Sequence, residues 1–170
     1  IMAILIVGFV NATNLTDGID GLDASVTFFA ALTMMIVTTC MNMTGLSISA
    51  AALAGGCLGF LVWNYHPAKV FMGDTGSLFL GGMLCALFFG CDMPILMITV
   101  GLVYILEMLS VMWQIFYFKI THGKRFFKMS PIHHHFEMIG WNESKICTVF
   151  SLVEIILGII TVLLVSYSNV

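Results

Sequence analysis

Five long apolar runs are the feature that most restricts the fold of this chain. They cover residues 24–41, 46–63, 76–91, 94–118 and 145–168. A helix that crosses a membrane needs about 20 predominantly apolar residues, and each run comes close to that length. Residues 1–11 are also apolar and would form the end of a sixth crossing. The runs predict an all-α fold, a polytopic transmembrane helix bundle of about five full membrane helices and part of a sixth.

Composition supports a membrane environment. Hydrophobic residues make up 60% of the 170 residues, and charged residues make up only 9%. A soluble domain carries roughly 25% charged residues, so this chain cannot cover a surface that faces water. No internal repeat, low-complexity tract or linker divides it, and we expect residues 1–170 to form a single transmembrane domain.

The cysteines do not suggest a disulfide framework or a zinc site. They form no Cys-x-x-Cys pair and lie mostly in or beside apolar runs, where cysteine usually behaves as a small hydrophobic residue. The five are Cys40, Cys57, Cys85, Cys91 and Cys147. We expect all of them to be reduced and structural.

Strict alternation of membrane crossings places the long polar segments on one face. Links 42–45 and 92–93 are short enough for tight turns on one side, so segments 12–23, 64–75 and 119–144 lie on the other. All six basic residues fall on the side of the long segments: Lys69, Lys119, Lys124, Arg125, Lys128 and Lys145. By the positive-inside rule this face is cytoplasmic, and the three segments are predicted to be cytoplasmic loops.

The first polar segment contains two Asp-Gly pairs. It reads Asn14-Leu-Thr-Asp17-Gly18-Ile-Asp20-Gly21-Leu-Asp23 and directly follows an apolar helix. The glycines favour a loop or a broken helix, in which the backbone can approach a ligand closely. A solvated Asp-Gly turn without a functional role is the alternative, and the residues alone leave both open.

The second polar segment places an aspartate at a predicted helix start. It runs from Asn64 to Ser77 and leads into the apolar run 76–91. Asp74 lies just before the first residues of that run. A carboxylate there can cap the helix, or it can bind Mg²⁺ together with phosphate oxygens of a substrate. Phe71 is either an anchor at the membrane interface or a stacking platform for a ligand.

The third polar segment contains Ser130-Pro131-Ile132-His133-His134-His135-Phe136-Glu137. Consecutive helical residues point about 100° apart, so three helical histidines cannot share one metal. In an extended loop His133 and His135 could converge, but no further zinc ligand is near. We interpret the histidines as hydrogen-bond donors and titratable groups near phosphates.

Other polar residues lie beside or within the later apolar runs. The basic group before the histidines is interpreted as an anchor to anionic lipid; it comprises Lys119, Lys124, Arg125 and Lys128. Glu107 and Glu154 lie within apolar runs, where an acid is a functional candidate, although a hydrogen bond between helices is favoured for Glu154. Gln114 lies two turns beyond Glu107 toward the predicted cytoplasmic face and could reach the site.

The three segments together resemble one family closely. The patterns NxTNLTDGIDGLD, NxxPAKVFMGDTGS and PIHHHFE, in this order and on one membrane face, are similar to those of the bacterial phospho-N-acetylmuramoyl-pentapeptide transferases, or translocase I. These enzymes belong to the superfamily of polyprenyl-phosphate N-acetylhexosamine-1-phosphate transferases. The resemblance covers nearly the whole chain, and the ordered trio is far more specific than any one motif.

The resemblance implies an activity, a cofactor and a location. The enzyme would transfer phospho-N-acetylmuramoyl-pentapeptide from UDP-N-acetylmuramoyl-pentapeptide to undecaprenyl phosphate, with Mg²⁺ as cofactor. Lipid I and UMP would be the products, for peptidoglycan synthesis and hence cell-wall biogenesis, cell shape and division. The protein would be a multi-pass protein of the bacterial inner membrane with its site on the cytoplasmic face. A homodimer is left open, and no nucleic acid is expected as a partner.

The resemblance also implies roles for individual residues. Asp74 matches the Mg²⁺ ligand and Asp17 a carboxylate close to the metal and phosphates; with His133 they form the expected catalytic set. Phe71 would stack on the uracil. The complete set of expected substrate-binding residues is Asn14, Gly18, Asp20, Asn64, Phe71, Gln114, His133, His134 and His135.

One departure from the family pattern limits the site. The family also uses a pair of adjacent aspartates in earlier helices of a ten-helix fold, and no Asp-Asp pair occurs in this sequence. We therefore expect the chain to correspond to the C-terminal half, with the N-terminal half as a partner. A UDP-N-acetylglucosamine polyprenyl-phosphate transferase is the nearest alternative. A membrane transporter is the alternative from another class, although acids gathered in loops on one side disfavour it.

Overall fold

The computed structural model describes residues 2–168, which form eight helices and no strand. In chain order they are α1 (Met2–Thr16), α2 (Leu22–Cys40), α3 (Thr44–Asn64), α4 (Gly73–Gly90), α5 (Leu96–Thr99), α6 (Leu102–Ile120), α7 (Ile132–Met138) and α8 (Glu143–Ser168). By length and composition, α2, α3, α4, α6 and α8 can each cross a membrane. The expected all-α bundle is confirmed, and the chain is a multi-pass membrane protein.

One predicted helix is divided in the structure. The run 94–118 was expected to form a single crossing, but it contains the short α5 and the long α6, separated at Val100 and Gly101. The space that a Cβ on Gly101 would fill is taken by the ring of Phe9 and the carbonyl oxygen of Met97. Phe9 also packs edge-on against Phe88, at 5.6 Å between ring centroids. The expectation of one continuous helix was wrong: the helix is interrupted at Val100 and Gly101, where Phe9 of α1 packs against the backbone.

Helix α2 lies at the centre of the bundle. It packs against α3 and α8 and also contacts α1 and α4, and most of its residues are buried. A hydrogen bond of 2.7 Å between Thr27 and Tyr104 joins it to α6. Gly158 of α8 faces Thr33 of α2 with no room for a side chain, which allows the two helices to approach closely. The polar loop that precedes α2 is therefore attached to a closely packed pair of helices.

The short links and the polar segments lie at opposite ends of the helices. Asn42 and Asp92 adopt left-handed backbone conformations, with φ of 58° and 55°, in the turns after α2 and α4. This confirms the tight turns predicted there. The three long polar segments contact one another at the other end, through Asp20 and Glu143 and through Gly18 and His133.

The cysteines are all free. Cys57, Cys85, Cys91 and Cys147 are buried and Cys40 is exposed. The burial of four of them agrees with the expected structural role, whereas the exposure of Cys40 does not.

Candidate functional site

The two Asp-Gly pairs form the connection between α1 and α2. Helix α1 ends at Thr16 and α2 begins at Leu22, and Gly21 between them has φ of 76°. A residue with a side chain rarely adopts that conformation. The predicted break in the helix is confirmed. The break places Asp17 and Gly18 at the end of the bundle, in a connection that we call the aspartate loop (residues 17–21).

Asp74 lies in the first turn of α4, as predicted. Its Oδ1 accepts a hydrogen bond of 3.0 Å from the side-chain amide of Asn14. The same amide nitrogen lies 2.9 Å from the hydroxyl oxygen of Ser77, to which it also donates. Asn14 therefore fixes the start of α4 against the end of α1, and it places Asp74 beside the aspartate loop.

These elements enclose a polar pocket of about 320 Å³. Its lining joins the first and second polar segments: Asn14, Asp17, Gly18, Ile19, Asp20, Asn64, Phe71, Gly73 and Asp74. The two largest grooves, of about 480 and 440 Å³, have almost wholly apolar linings. Another, of about 390 Å³, is lined by Gln114, Lys119 and Arg125 but by no carboxylate. Because phosphorylated ligands require polar contacts, we take the smaller, polar pocket as the candidate site.

The electrostatics of the pocket favour a cation. Partial burial, together with the nearby Asp74 carboxylate, raises the pKa of Asp17 from 3.8 to about 6. A divalent ion between the two carboxylates would offset the effect of Asp74 on the charge of Asp17. The available donors are hard oxygen atoms, which Mg²⁺ prefers. Asp17 and Asp74 therefore fit the expected magnesium site.

The raised pKa of Asp17 predicts a pH dependence of stability. The fold favours the protonated acid, so its stabilising contribution is complete below the ordinary pKa and is lost as pH rises through about 6. For a full-length protein that contains this segment, without metal, we expect Tm to fall more steeply from about pH 5 to about pH 7 than in Asp17→Asn. Differential scanning fluorimetry in detergent measures both profiles. Tm profiles of equal slope for wild type and Asp17→Asn would contradict the prediction. A rise in the Tm of the wild-type protein at neutral pH when Mg²⁺ is added would strengthen it.

Two predicted substrate-binding residues, Asp20 and Asn64, form hydrogen bonds that hold the wall of the pocket. Asp20 is the first. The Asp20 carboxylate accepts a hydrogen bond of 2.9 Å from the backbone N–H of Ala68, and it lies 3.0 Å from His66 Nδ1. The backbone N–H of Asp20 donates to Glu143 at 2.9 Å. Asp20 thus ties the aspartate loop to the second and third polar segments. No sequence pattern indicated a role for His66 or Glu143, because each contacts Asp20 only through the tertiary fold.

Asn64 has a comparable role at the end of α3. Its side-chain amide donates a hydrogen bond of 2.9 Å to the carbonyl oxygen of Val70, and the side chain is buried. This bond closes the loop that carries Phe71. The ring of Phe71 is 73% exposed, so it stands free at the pocket edge.

The histidines lie on a helix, not in an extended loop. Helix α7 begins after Pro131 and contains all three, so their rings point in different directions, and the alternative of an extended loop is wrong. His133 is fully buried, with Nε2 directed at Gly18. His134 also directs Nε2 toward Gly18, and its Nδ1 contacts Glu137. The ring of His135 turns away and accepts a hydrogen bond of 3.1 Å from the backbone N–H of Lys128.

Gln114 does not line the pocket. Its side-chain oxygen accepts hydrogen bonds from the backbone N–H groups of Phe126 and Phe127, at 3.2 and 2.9 Å. It thereby holds the segment that leads into α7. The structure brings His133 and His134 against the aspartate loop, whereas Gln114 and His135 support the chain behind them.

Comparison with known proteins gives a consistent pattern. The model of the family described as Glycosyl transferase family 4 matches residues 1–92. A phospho-N-acetylmuramoyl-pentapeptide-transferase of Carboxydothermus hydrogenoformans is 50% identical over 157 residues, which are 92% of this chain and 48% of that protein. Proteins of the same name from Caldicellulosiruptor bescii and Clostridium kluyveri are 48% and 49% identical, each over 88% of this chain and 47% of the relative. The chain thus spans about half the length of the curated relatives it matches.

Proposed function

The chain belongs to glycosyl transferase family 4, and on that premise we propose that it supplies part of the active site of a phospho-N-acetylmuramoyl-pentapeptide transferase. The donor is UDP-N-acetylmuramoyl-pentapeptide and the acceptor is undecaprenyl phosphate. An acceptor phosphate oxygen forms a bond to the sugar-linked phosphorus of the donor. The bond between the two donor phosphates breaks, and its electron pair leaves on UMP. The lipid product is lipid I, formed on the cytoplasmic face of the bacterial inner membrane.

One observation carries this proposal: two carboxylates, Asp17 and Asp74, line one polar pocket at the end of a membrane bundle, close enough for Asp74 to raise the pKa of Asp17. Phosphoryl transfer depends mainly on positioning and on neutralising charge. Bound Mg²⁺ would supply that neutralisation, held by Asp17 and Asp74. Asn14 keeps the Asp74 carboxylate in place, and the relatives' names agree with this chemistry.

The lining of the pocket suggests which residue meets which part of the donor. Phe71, exposed at the edge, offers a flat apolar face to the uracil. His133 and His134 direct Nε2 at Gly18 of the aspartate loop from the third polar segment, close to where the donor phosphates would lie. Asp20 and Asn64 hold the two walls of the pocket in place through hydrogen bonds to the backbone of Ala68 and Val70.

A lipid acceptor explains why the pocket lies on a membrane bundle. An apolar groove of about 480 Å³ runs between α3 and α4, and its lining includes Met72 and Gly76 on either side of Asp74 in sequence. A polyprenyl chain in such a groove would present its phosphate near Asp74. An acceptor that diffuses in the membrane can then reach a donor that arrives from water.

The proposal is tested with a full-length protein that contains these 170 residues, reconstituted in nanodiscs. With Mg²⁺, UDP-N-acetylmuramoyl-pentapeptide and undecaprenyl phosphate, we expect equal amounts of UMP and lipid product, and no turnover when EDTA replaces Mg²⁺. Competition with UDP-N-acetylglucosamine distinguishes the nearest alternative, since a large excess should not inhibit. Transfer from UDP-N-acetylglucosamine instead, or uptake of a solute without UMP release, would overturn the proposal.

Phe71→Ala is expected to weaken UMP binding by about 1–3 kcal/mol, because a stacked base loses its platform. Isothermal titration of the full-length protein with UMP measures the change in Kd. Phe79→Ala is the matched control, since Phe79 is also exposed but lies on the apolar side of α4. Equal Kd values for wild type and Phe71→Ala would return Phe71 to the role of an interfacial anchor.

A further inference from the structure

Beneath the candidate site, α6 and α7 are joined by a contact between two fully buried polar side chains. His133 Nδ1 lies 3.1 Å from Glu107 Oε2, and both side chains have 0% exposure. Their orientation is that of a close carboxylate–imidazole contact and not of a linear hydrogen bond. Among residues 2–168, His133 is the one basic side chain that forms a salt-bridge contact with Glu107.

A carboxyl group buried in a membrane helix is costly in free energy unless a polar partner contacts it. An unpaired carboxylate in an apolar environment is strongly disfavoured, and an acid within a membrane segment marks a functional site by default. Glu107 lies in the second turn of α6, and its side chain is fully buried. His133 is therefore the partner that accounts for its presence.

The two nitrogens of His133 face different surroundings. Nδ1 faces Glu107, while Nε2 faces Gly18 of the aspartate loop and has no hydrogen-bond partner within residues 2–168. The group that contacts one ring nitrogen decides which nitrogen carries the proton and how the ring is turned. A carboxylate at Nδ1 favours a proton there and leaves Nε2 directed at Gly18, one of the residues that line the pocket.

Helix α6 also holds the segment of chain that precedes α7. Gln114, two turns beyond Glu107, accepts the hydrogen bonds from Phe126 and Phe127 described above. One helix thus fixes both the segment that enters α7 and the ring that α7 presents. The position of His133 therefore depends on α6 as well as on its own short helix.

We propose that Glu107 is a positioning residue: its carboxylate orients the His133 ring so that Nε2 supports Gly18 of the aspartate loop, on which the phosphates of the donor would bind. This inference rests on the proposed function and adds to it a residue that does not itself line the pocket. Glu107 has no contact with substrate in this arrangement and acts through His133 alone.

The first experiment needs neither substrate nor turnover. Full-length protein labelled with ¹⁵N-histidine is examined by NMR, with the His133 ring signals assigned by their loss in His133→Ala. We expect the protonated Nδ1 signal in wild type and a change of both ring-nitrogen shifts in Glu107→Gln. Glu154→Gln is the matched control, because Glu154 is equally buried in a membrane helix but has no salt-bridge contact with His133. Ring signals of His133 that are identical in wild type and Glu107→Gln would overturn the inference.

The second experiment follows turnover. Glu107→Gln should lower kcat by about 10- to 100-fold, the usual range for loss of an orienting partner, with KM changed less than about threefold. Glu107→Asp should restore part of the loss, and it serves as the test variant if the Gln variant does not fold. In a His133→Ala background the Glu107 substitution should have no further effect.

The outcomes separate the two proposals. If wild type forms no lipid product, the proposed function fails, and the NMR comparison alone decides whether Glu107 orients His133. If wild type is active, an unchanged kcat in Glu107→Gln, or an undiminished effect of that substitution in the His133→Ala background, would overturn the positioning role.

Discussion

Asp74→Asn in a full-length protein that contains this segment should lower turnover at least about 1000-fold, with little change in stability. A bound metal contributes several kcal/mol of charge stabilisation, and each 1.36 kcal/mol is about a tenfold change in rate. Asparagine has the same shape and can still accept the hydrogen bond from Asn14 that fixes the start of α4. What it lacks is the negative charge that holds a divalent cation.

Lipid I formation and Tm, measured on the same detergent-solubilised sample, test this expectation. Asp92→Asn is the matched control, because Asp92 lies in the turn at the far end of α4 with φ of 55°, a conformation that asparagine also tolerates. It should retain wild-type turnover. Activity of Asp74→Asn near that of wild type would remove Asp74 from the metal site.

The helices and the break between α1 and α2 could be predicted because each depends on local sequence. Apolar runs of membrane length determine the crossings, and the glycine after Asp20 permits the positive φ that ends the connection. Asp74 was placed at a helix start for the same reason, since an apolar run follows it directly. In each case the cause lies within a few residues of the effect.

The parts that could not be predicted depend on contacts between distant segments. The division between α5 and α6 lies where Phe9 of α1 packs against Gly101. The pairing of Glu107 with His133 spans two helices; the sequence indicated an unusual acid but not its partner. Gln114 was expected near the donor, yet its side chain is occupied by the backbone of Phe126 and Phe127.

The histidines show how tertiary packing assigns different roles to identical neighbours. The ring of His133 contacts the aspartate loop and Glu107, and the ring of His134 contacts the aspartate loop and Glu137. The ring of His135 contacts the backbone of Lys128. Nothing in the sequence distinguishes His133 from His135. The distinction arises because α7 lies with one side against Gly18, and that contact is itself open to test.

Gly18→Ala is expected to lower turnover by about 100-fold, although it adds only one methyl group. The space for a Cβ on Gly18 is already filled by Nε2 and Cε1 of His133, with Nε2 of His134 at 3.3 Å from the same point. Gly18 does not have a positive φ, so alanine brings no backbone strain and the effect is steric. Because His133 is fully buried, its ring can yield only if α7 moves away from the pocket, and misplacement of about 1 Å can lower a rate about 100-fold.

Turnover and Tm of Gly18→Ala are compared with those of Gly82→Ala. Gly82 lies within α4 with open space at its Cβ position, so alanine there should preserve activity and stabilise the helix slightly. Adding His133→Ala to Gly18→Ala should restore Tm, because the clash is removed, but it should not restore turnover if His133 serves the reaction. Wild-type turnover in Gly18→Ala would mean that α7 moves freely over the aspartate loop. Recovery of turnover in the double variant would show that His133 fills space there and takes no part in the chemistry.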